Sequence, residues 1–182
     1  MSRVLIVGGG AAGMLAAIVA AKNGHEVQVF EKNEKLGKKL YITGKGRCNI
    51  TNACDMDTLF ANVVGNPKFL YSAFYGFHNY DMMNFLTELG LRIKTERGGR
   101  VFPESDKASD VIFTLQRKSQ HVGVKIHLHT QVEEVLAEKG HCSGIRLSNR
   151  QIVKADAVFI ATGGISYPST GSTGDGYKIK KK

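Results

Sequence analysis

The stretch Val4-Leu5-Ile6-Val7-Gly8-Gly9-Gly10-Ala11-Ala12-Gly13 decides the fold, because it reads as a buried strand that turns directly into a helix. Gly8, Gly10 and Gly13 form G-x-G-x-x-G. The first glycine permits a tight turn, the second lets main chain approach a diphosphate, and the third lets helix pack closely on strand. A helix beginning there offers free N–H groups and partial positive charge to an anion. Three glycines at these offsets are weak evidence in a chain with 21, so the context decides. An alanine-rich helix runs to about Asn23-Gly24, and a second apolar run, His25-Glu26-Val27-Gln28-Val29-Phe30, ends at Glu31. Seventeen residues separate Gly13 from Glu31, the distance at which a carboxylate takes the ribose hydroxyls of an adenosine. The first 31 residues therefore predict a βαβ nucleotide-binding half.

Composition narrows the class. A chain of 182 residues suffices for one domain or one domain with a substantial insertion, and its 42% hydrophobic content is that of a soluble globular protein. Cys48, Cys54 and Cys142 make neither a Cys-x-x-Cys pair nor a disulfide framework. Their odd number points to a reducing compartment, and the expected location is the cytoplasm. No metal site is expected. Residues 4–20 carry no charge, but Gly8, Gly9, Gly10 and Gly13 interrupt them, which argues against both a signal peptide and a membrane span. The net charge of +9 gathers at Lys32, Lys35, Lys38, Lys39, Lys45 and Arg47, and again at Lys178, Lys180, Lys181 and Lys182. Such a surplus suits a solvated surface or a funnel for an anionic cofactor. Nucleic acid is the less favoured partner, since no recognised RNA- or DNA-binding motif accompanies the charge.

Farther along, residues 32–52 read as a loop. Helical character follows at 57–62, 67–77 and 80–89, with Phe69, Leu70, Ala73 and Phe74, then Met82, Phe85, Leu86 and Leu89, spaced as core faces. Gly90 is expected to close the last of these helices. Residues 91–95 and 100–102 predict two short strands around Arg97-Gly98-Gly99, and Ser105 or Asp106 a cap for a helix reaching about His121. A strand is expected at 124–129, with His127 and His129 on its polar side. An antiparallel meander is expected over 131–137, 141–147 and 151–153, then a buried strand at 156–161 leading into Thr162-Gly163-Gly164. The segment Thr170–Tyr177 is a second glycine-rich loop entering a helix.

Several motifs together resemble one family, the BaiN-like flavoproteins (RdsA-like, or aminoacetone-oxidase-like). They are Gly8–Gly13, the block Lys35-Leu36-Gly37-Lys38-Lys39-Leu40-Tyr41-Ile42-Thr43-Gly44-Lys45-Gly46-Arg47-Cys48-Asn49-Ile50-Thr51-Asn52, and Gly99–Pro103 with Ser105–Ala108. To these is added Ala161–Gly164 through Gly174-Asp175-Gly176-Tyr177. The Gly-Lys-Gly-Arg-Cys-Asn block and the last loop are the specific parts. The resemblance implies an α/β fold: a Rossmann-like FAD-binding domain with a parallel sheet and a β-meander, carrying a mainly helical insertion. Residues 1–31 and 124–182 would form the core and 32–123 the insertion.

The resemblance further implies FAD, with NAD(P)H as a candidate electron donor. Gly8, Gly10, Ala11, Ala12 and Gly13 would hold the diphosphate, Glu31 the adenosine ribose, and Lys32 would flank it. Gly44, Gly46, Arg47, Cys48 and Asn49 would line the flavin side, where the competing reading is a loop held by local side-chain bonds. Val132 would offer backbone to the adenine. Ala161, Thr162 and Gly163 would close over the phosphates, with Gly174 and Asp175 approaching from the last loop. Family members are about twice as long, so the chain is expected to be the N-terminal part of one, ahead of the domain that takes a small-molecule substrate. The strand at 156–161 is then an open sheet edge. No catalytic acid or base stands out; Tyr167, His78 and Cys48 are candidates by chemical type only. Two alternatives remain: a non-catalytic nucleotide-binding remnant and a basic RNA-associated flavoprotein.

Overall fold

The structure is a computed structural model that describes residues 1–181, and it divides into two compact units, residues 1–40 with 115–182 and residues 41–114. Strand β1 (Arg3–Val7), helix α1 (Ala11–Lys22) and strand β2 (Glu26–Phe30) form the opening βαβ unit. Parallel strands covered on both faces read as unbroken apolar runs, and β1 is such a strand. Leu5 and Val7 face one side and Ile6 the other, all three buried. Helix α1 buries Met14, Ala17 and Ile18, at spacings of three and four, against β1 and β2.

The second unit contains β3 (Thr51–Asn52), α2 (Met56–Ala61), α3 (Tyr71–Gly76), α4 (Asn79–Glu88), β4 (Ile93–Thr95) and β5 (Arg100–Pro103). Strand β5 lies between β3 and β4 in an antiparallel sheet, and its Val101 and Phe102 are buried. Helix α4 starts with a capping box, the His78 ring accepting from the Asp81 N–H and the Asp81 carboxylate accepting from the His78 N–H. Gly90 follows its end at φ 86°, the left-handed residue expected there.

Two expectations are corrected in this unit. On the α4 face Leu86 is buried and Met82, Phe85 and Leu89 are half-buried, but Phe69 is 82% exposed, Ala73 is exposed, and Leu70 and Phe74 are only half-buried. Residues 67–76 form a 3₁₀ turn and a six-residue helix, too short to lay a continuous stripe on a core. The aromatic rings gather instead around Phe60, with Tyr71, Phe74 and Tyr75 at 4.6, 5.3 and 5.8 Å between centroids. Nor does Asp106 cap the next helix. It sits at φ 56° and turns its carboxylate to Lys94 and Arg47, while the Ser105 hydroxyl accepts from the Lys107 N–H.

Helix α5 (Ala108–His121) carries the chain from the second unit into the first, with Val111, Ile112 and Leu115 buried as their spacing required. Strand β6 (Lys125–His127) pairs with β2, and β7 (Val132–Glu138), β8 (His141–Leu147) and β9 (Ile152–Lys154) make the expected antiparallel meander. The His127 ring stacks on Phe30 at 4.7 Å and meets the Gln28 side chain. Strand β10 (Ala157–Ile160), the one-turn helix α6 (Asp175–Lys178) and β11 (Lys180–Lys181) complete the chain. Of the basic residues noted near the end, Lys182 lies outside the described residues.

The parallel sheet has the order β10-β1-β2-β6. Leu5, Val7 and Phe30 pack against Val132, Ile145, Leu147 and Ala155, so the meander covers the face of the sheet away from α1. Strand β10 forms within the segment the sequence read as a buried strand and pairs with β1, but it is not buried throughout. As the edge of the sheet it leaves Phe159 49% exposed and Ile160 42% exposed, while Val158 packs on the meander. The chain leaves β1 toward β2 on one side and returns as β10 on the other. The crevice beyond their carboxyl ends is therefore a topological switch point, where open α/β sheets bind ligands.

Candidate functional site

That crevice is built from Gly8–Gly13, Glu31 and Ala161–Gly163, all in the first unit. Gly8 has φ 105°, and a Cβ there would lie 2.5 Å from the Ala161 carbonyl oxygen. The turn after β1 and the turn after β10 thus touch through bare backbone. Gly13 is equally demanding, since a Cβ would lie 1.9 Å from the Gly8 carbonyl oxygen. Gly9, to which the sequence assigned no role, is enclosed as well. Its N–H donates to Glu31 Oε2 (2.7 Å), its carbonyl accepts from the Gly37 N–H (2.8 Å), and a Cβ would overlap the Leu36 side chain.

Gly10 differs from the other three. Its φ of −78° suits any residue, and a Cβ would meet nothing within 4 Å. Neither strain nor protein packing requires glycine there, so the missing side chain leaves open space, a recess only in that no side chain fills it, at the start of α1. The first helical bond runs from the Met14 N–H to the Gly10 carbonyl, leaving the N–H groups of Ala11, Ala12 and Gly13 without a partner inside the helix. Ala11 and Ala12 are exposed, and no acidic residue occupies the first turn. An open, uncapped helix N-terminus with small side chains fits a diphosphate.

Glu31, 8% exposed, accepts from the Gly9 N–H with one oxygen and from the Asn33 N–H (2.8 Å) and side chain (2.6 Å) with the other. Two carboxylate oxygens offer about four acceptor positions, so three donors leave room for a ribose hydroxyl. Val132 is buried at the head of β7. Two residues before it, the Thr130 N–H donates to the Glu31 carbonyl, tying the meander to the turn that carries the carboxylate. Lys32 and Asp175 come together: Lys32 Nζ donates to Asp175 and to Thr173 Oγ1 (2.7 Å). Burial works to raise the Asp175 carboxyl, yet the Lys32 and Thr173 hydrogen bonds outweigh it and hold the group below its ordinary value. Thr162 packs its hydroxyl on Gly176, Gly163 lies beside Ser172, and the Gly174 N–H returns to the Gly164 carbonyl. The sequence did not single out Asn33, Ser172 or Thr173.

Gly44, Gly46, Arg47, Cys48 and Asn49 belong to the second unit. Gly44 sits at φ 56°, where a Cβ would lie 2.8 Å from the Asn49 nitrogen and 2.9 Å from the Phe102 ring. Gly46 has φ 88° and the Cys48 N–H bonds the Thr43 carbonyl (3.0 Å). Arg47 lies 4.0 Å over the Phe102 ring and pairs with Glu96 (2.9 Å) and Asp106 (3.3 Å), so two carboxylates already face its charge. Asn49 is exposed, and its amide donates to the Thr51 and Val101 carbonyls.

The candidate acids and bases have structural duties. His78 caps α4, and Tyr167 is exposed in a left-handed turn. Cys48 is 2% exposed, and burial pushes its thiol up against a smaller opposing effect of Thr43. In the native protein, a thiol titration is expected to label Cys54 and Cys142 readily and Cys48 only after unfolding. Three equally fast thiols would contradict the burial of Cys48.

The model of the HI0933-like protein Rossmann domain matches residues 2–182. The chain belongs to the HI0933-like family. This is the FAD-binding oxidoreductase family that the Gly-Lys-Gly-Arg-Cys-Asn block and the last loop resemble. A 3-dehydro-bile acid delta(4,6)-reductase of Clostridium scindens is 37% identical over 100% of the chain, which covers 44% of that protein. A ribosomal RNA dihydrouridine synthase of Haemophilus influenzae is 30% identical, again over 100% of the chain and 45% of the relative. The chain thus spans less than half the length of these relatives. Among solved structures, the 3-ketosteroid-delta4-(5alpha)-dehydrogenase of Rhodococcus jostii RHA1 superposes with a TM-score of 0.71 at 18% identity, over 91% of the chain and 46% of that structure. The FrdA subunit of Escherichia coli quinol fumarate reductase gives 0.66 at 20% identity, over 90% of the chain and 32% of that structure. These likenesses show the Rossmann-type fold.

Proposed function

We propose that the chain is the FAD-binding portion of an oxidoreductase that moves hydride between a reduced nicotinamide and a small unsaturated organic substrate. The observation that carries the reading is the open space at Gly10 at the start of α1, one residue after Gly9, whose N–H holds the buried Glu31 carboxylate. When bound, the flavin supplies the hydride chemistry. The chain's residues bind and orient. The N–H groups of Ala11, Ala12 and Gly13 would bind the diphosphate, Glu31 would take the ribose on its remaining acceptor position, and Ala161–Gly163 would border the site. Charge assists: residues 41–114 hold eight Lys/Arg and eight Asp/Glu, so the whole surplus of nine positive charges falls in the unit with the recess.

The names of the two relatives describe the addition of hydrogen to an unsaturated system, which supports a reductive direction. A cytoplasmic location fits three free thiols, and no described helix is long and apolar enough to cross a membrane. The same concentrated charge also favours a second reading, an RNA substrate. Steeply salt-dependent RNA binding supports it, and no binding at low salt removes it.

The purified chain is expected to be yellow or to quench added flavin fluorescence on binding. Glu31→Ala should weaken FAD about tenfold, the loss of a hydrogen bond to a charged group. Protein that stays colourless after refolding with excess FAD would sink the reading. Binding of ADP-ribose-containing ligands without uptake of FAD would instead identify a nucleotide-binding remnant.

A further inference from the structure

The loop between β10 and β11 is held by unusual means. Its backbone bonds turn inward, from the Thr170 N–H to Tyr167, from Gly171 to Pro168, and from Gly174 to Gly164. Of its large apolar side chains, Ile165, Tyr167 and Tyr177 are exposed, and only Ile179, next to β11, packs on the core of the first unit, so burial does not anchor residues 163–174. Side chains of the segment after β2 meet it at three successive points and bond it at two of them. Lys39 Nζ donates to Ser166 Oγ (2.9 Å) and to its carbonyl (3.2 Å). Asn33 lies against Gly171, where a Cβ would come 2.5 Å from Nδ2. Lys32 grips Thr173 and Asp175, and the Thr173 hydroxyl closes the ring with Asp175 Oδ1 (2.8 Å).

The pairings 39 with 166, 33 with 171, and 32 with 173 and 175 run in opposite directions along the two segments, as in a zipper. Both segments begin at the recess: Lys32 follows Glu31, and the loop starts at Ala161–Thr162 against Gly8.

We propose that this zipper is a clasp, in which Lys32 and Asp175 are positioning residues that hold the last loop shut beside the diphosphate recess and set how fast a bound dinucleotide escapes. The inference rests on the FAD reading above. The Lys32 and Asp175 side chains are 26% and 21% exposed, shielded enough to attract strongly and accessible enough for salt to weaken them. Opening the clasp breaks side-chain bonds and leaves every strand pairing in place.

The test uses Lys32→Gln, Asp175→Asn and the charge-reversed pair Lys32→Asp with Asp175→Lys, in FAD-free and FAD-loaded protein. Without FAD, hydrogen exchange over residues 163–174 should quicken about tenfold in each single variant while β1 and β2 keep their protection. With FAD, escape followed by recovery of flavin fluorescence should be about tenfold faster at low salt. That difference should shrink in 1 M salt, and the reversed pair should return both rates toward wild type. Unchanged exchange in the single variants overturns the clasp, and so does faster exchange with unchanged FAD escape. A wild-type protein that takes up no FAD overturns the cofactor reading and the clasp's purpose together, so the two failures are distinguishable.

Discussion

Gly13→Ala is expected to unfold the protein or bring it close to unfolding. The added methyl would lie 1.9 Å from the Gly8 carbonyl oxygen, 3.1 Å from its carbon and 3.4 Å from Ile6 Cγ2. The first two are main chain of the turn after β1, so no rotamer change makes room. Relief requires α1 to lift from the sheet, uncovering Met14, Ala17 and Ile18, or the turn to move into Ala161. Overpacking a close-packed interface costs 1–3 kcal/mol and sometimes more, and a contact this short against backbone belongs at about 3 kcal/mol or above. Total stabilities of roughly 5–15 kcal/mol make that a large fraction. Urea unfolding measures it, with Gly10→Ala as the control for a methyl that meets nothing. A Gly13→Ala midpoint equal to that of Gly10→Ala would mean that helix and strand are less closely apposed than the structure has them.

The contrast between these glycines marks what the sequence could and could not disclose. Strand β1, helix α1 and strand β2 were legible because burial on both faces writes a continuous apolar run, and the glycines punctuate it. The meander was legible because alternation and turn residues recur at short range. Residues 67–76 misled, since helical spacing of aromatics does not say whether the helix is long enough to reach a core. Asp106 misled in another way. Its place before a helix fits a cap, but Lys94 and Arg47 offer it charged partners that no local pattern announces. The Lys32–Asp175 pair spans 143 positions, and only the return of the chain beside β1 brings its members together. Strand β10 was legible as a strand and, through the family resemblance, as a sheet edge, and its partial exposure follows from that place.

Gly10→Asp is expected to abolish FAD binding while leaving the fold as stable as before or slightly more so. Gly10 is the N-cap of α1 in extended backbone, φ −78° and ψ −169°, a conformation open to aspartate and a position where aspartate is favoured. Its carboxylate would accept from the free N–H groups at the helix start and sit at the positive end of the helix dipole. That adds a few tenths to about 1 kcal/mol of stability. The same carboxylate would occupy the recess and set negative charge against the diphosphate, taking from the ligand both its space and its donors. A loss of at least about a hundredfold in affinity, roughly 2.7 kcal/mol, is the expected result. Opposite signs for folding and binding separate this outcome from misfolding, which lowers both. Thermal melting of FAD-free protein and fluorescence titration with FAD read the two quantities. Affinity within threefold of wild type in a normally folded Gly10→Asp protein would place the diphosphate somewhere other than the start of α1.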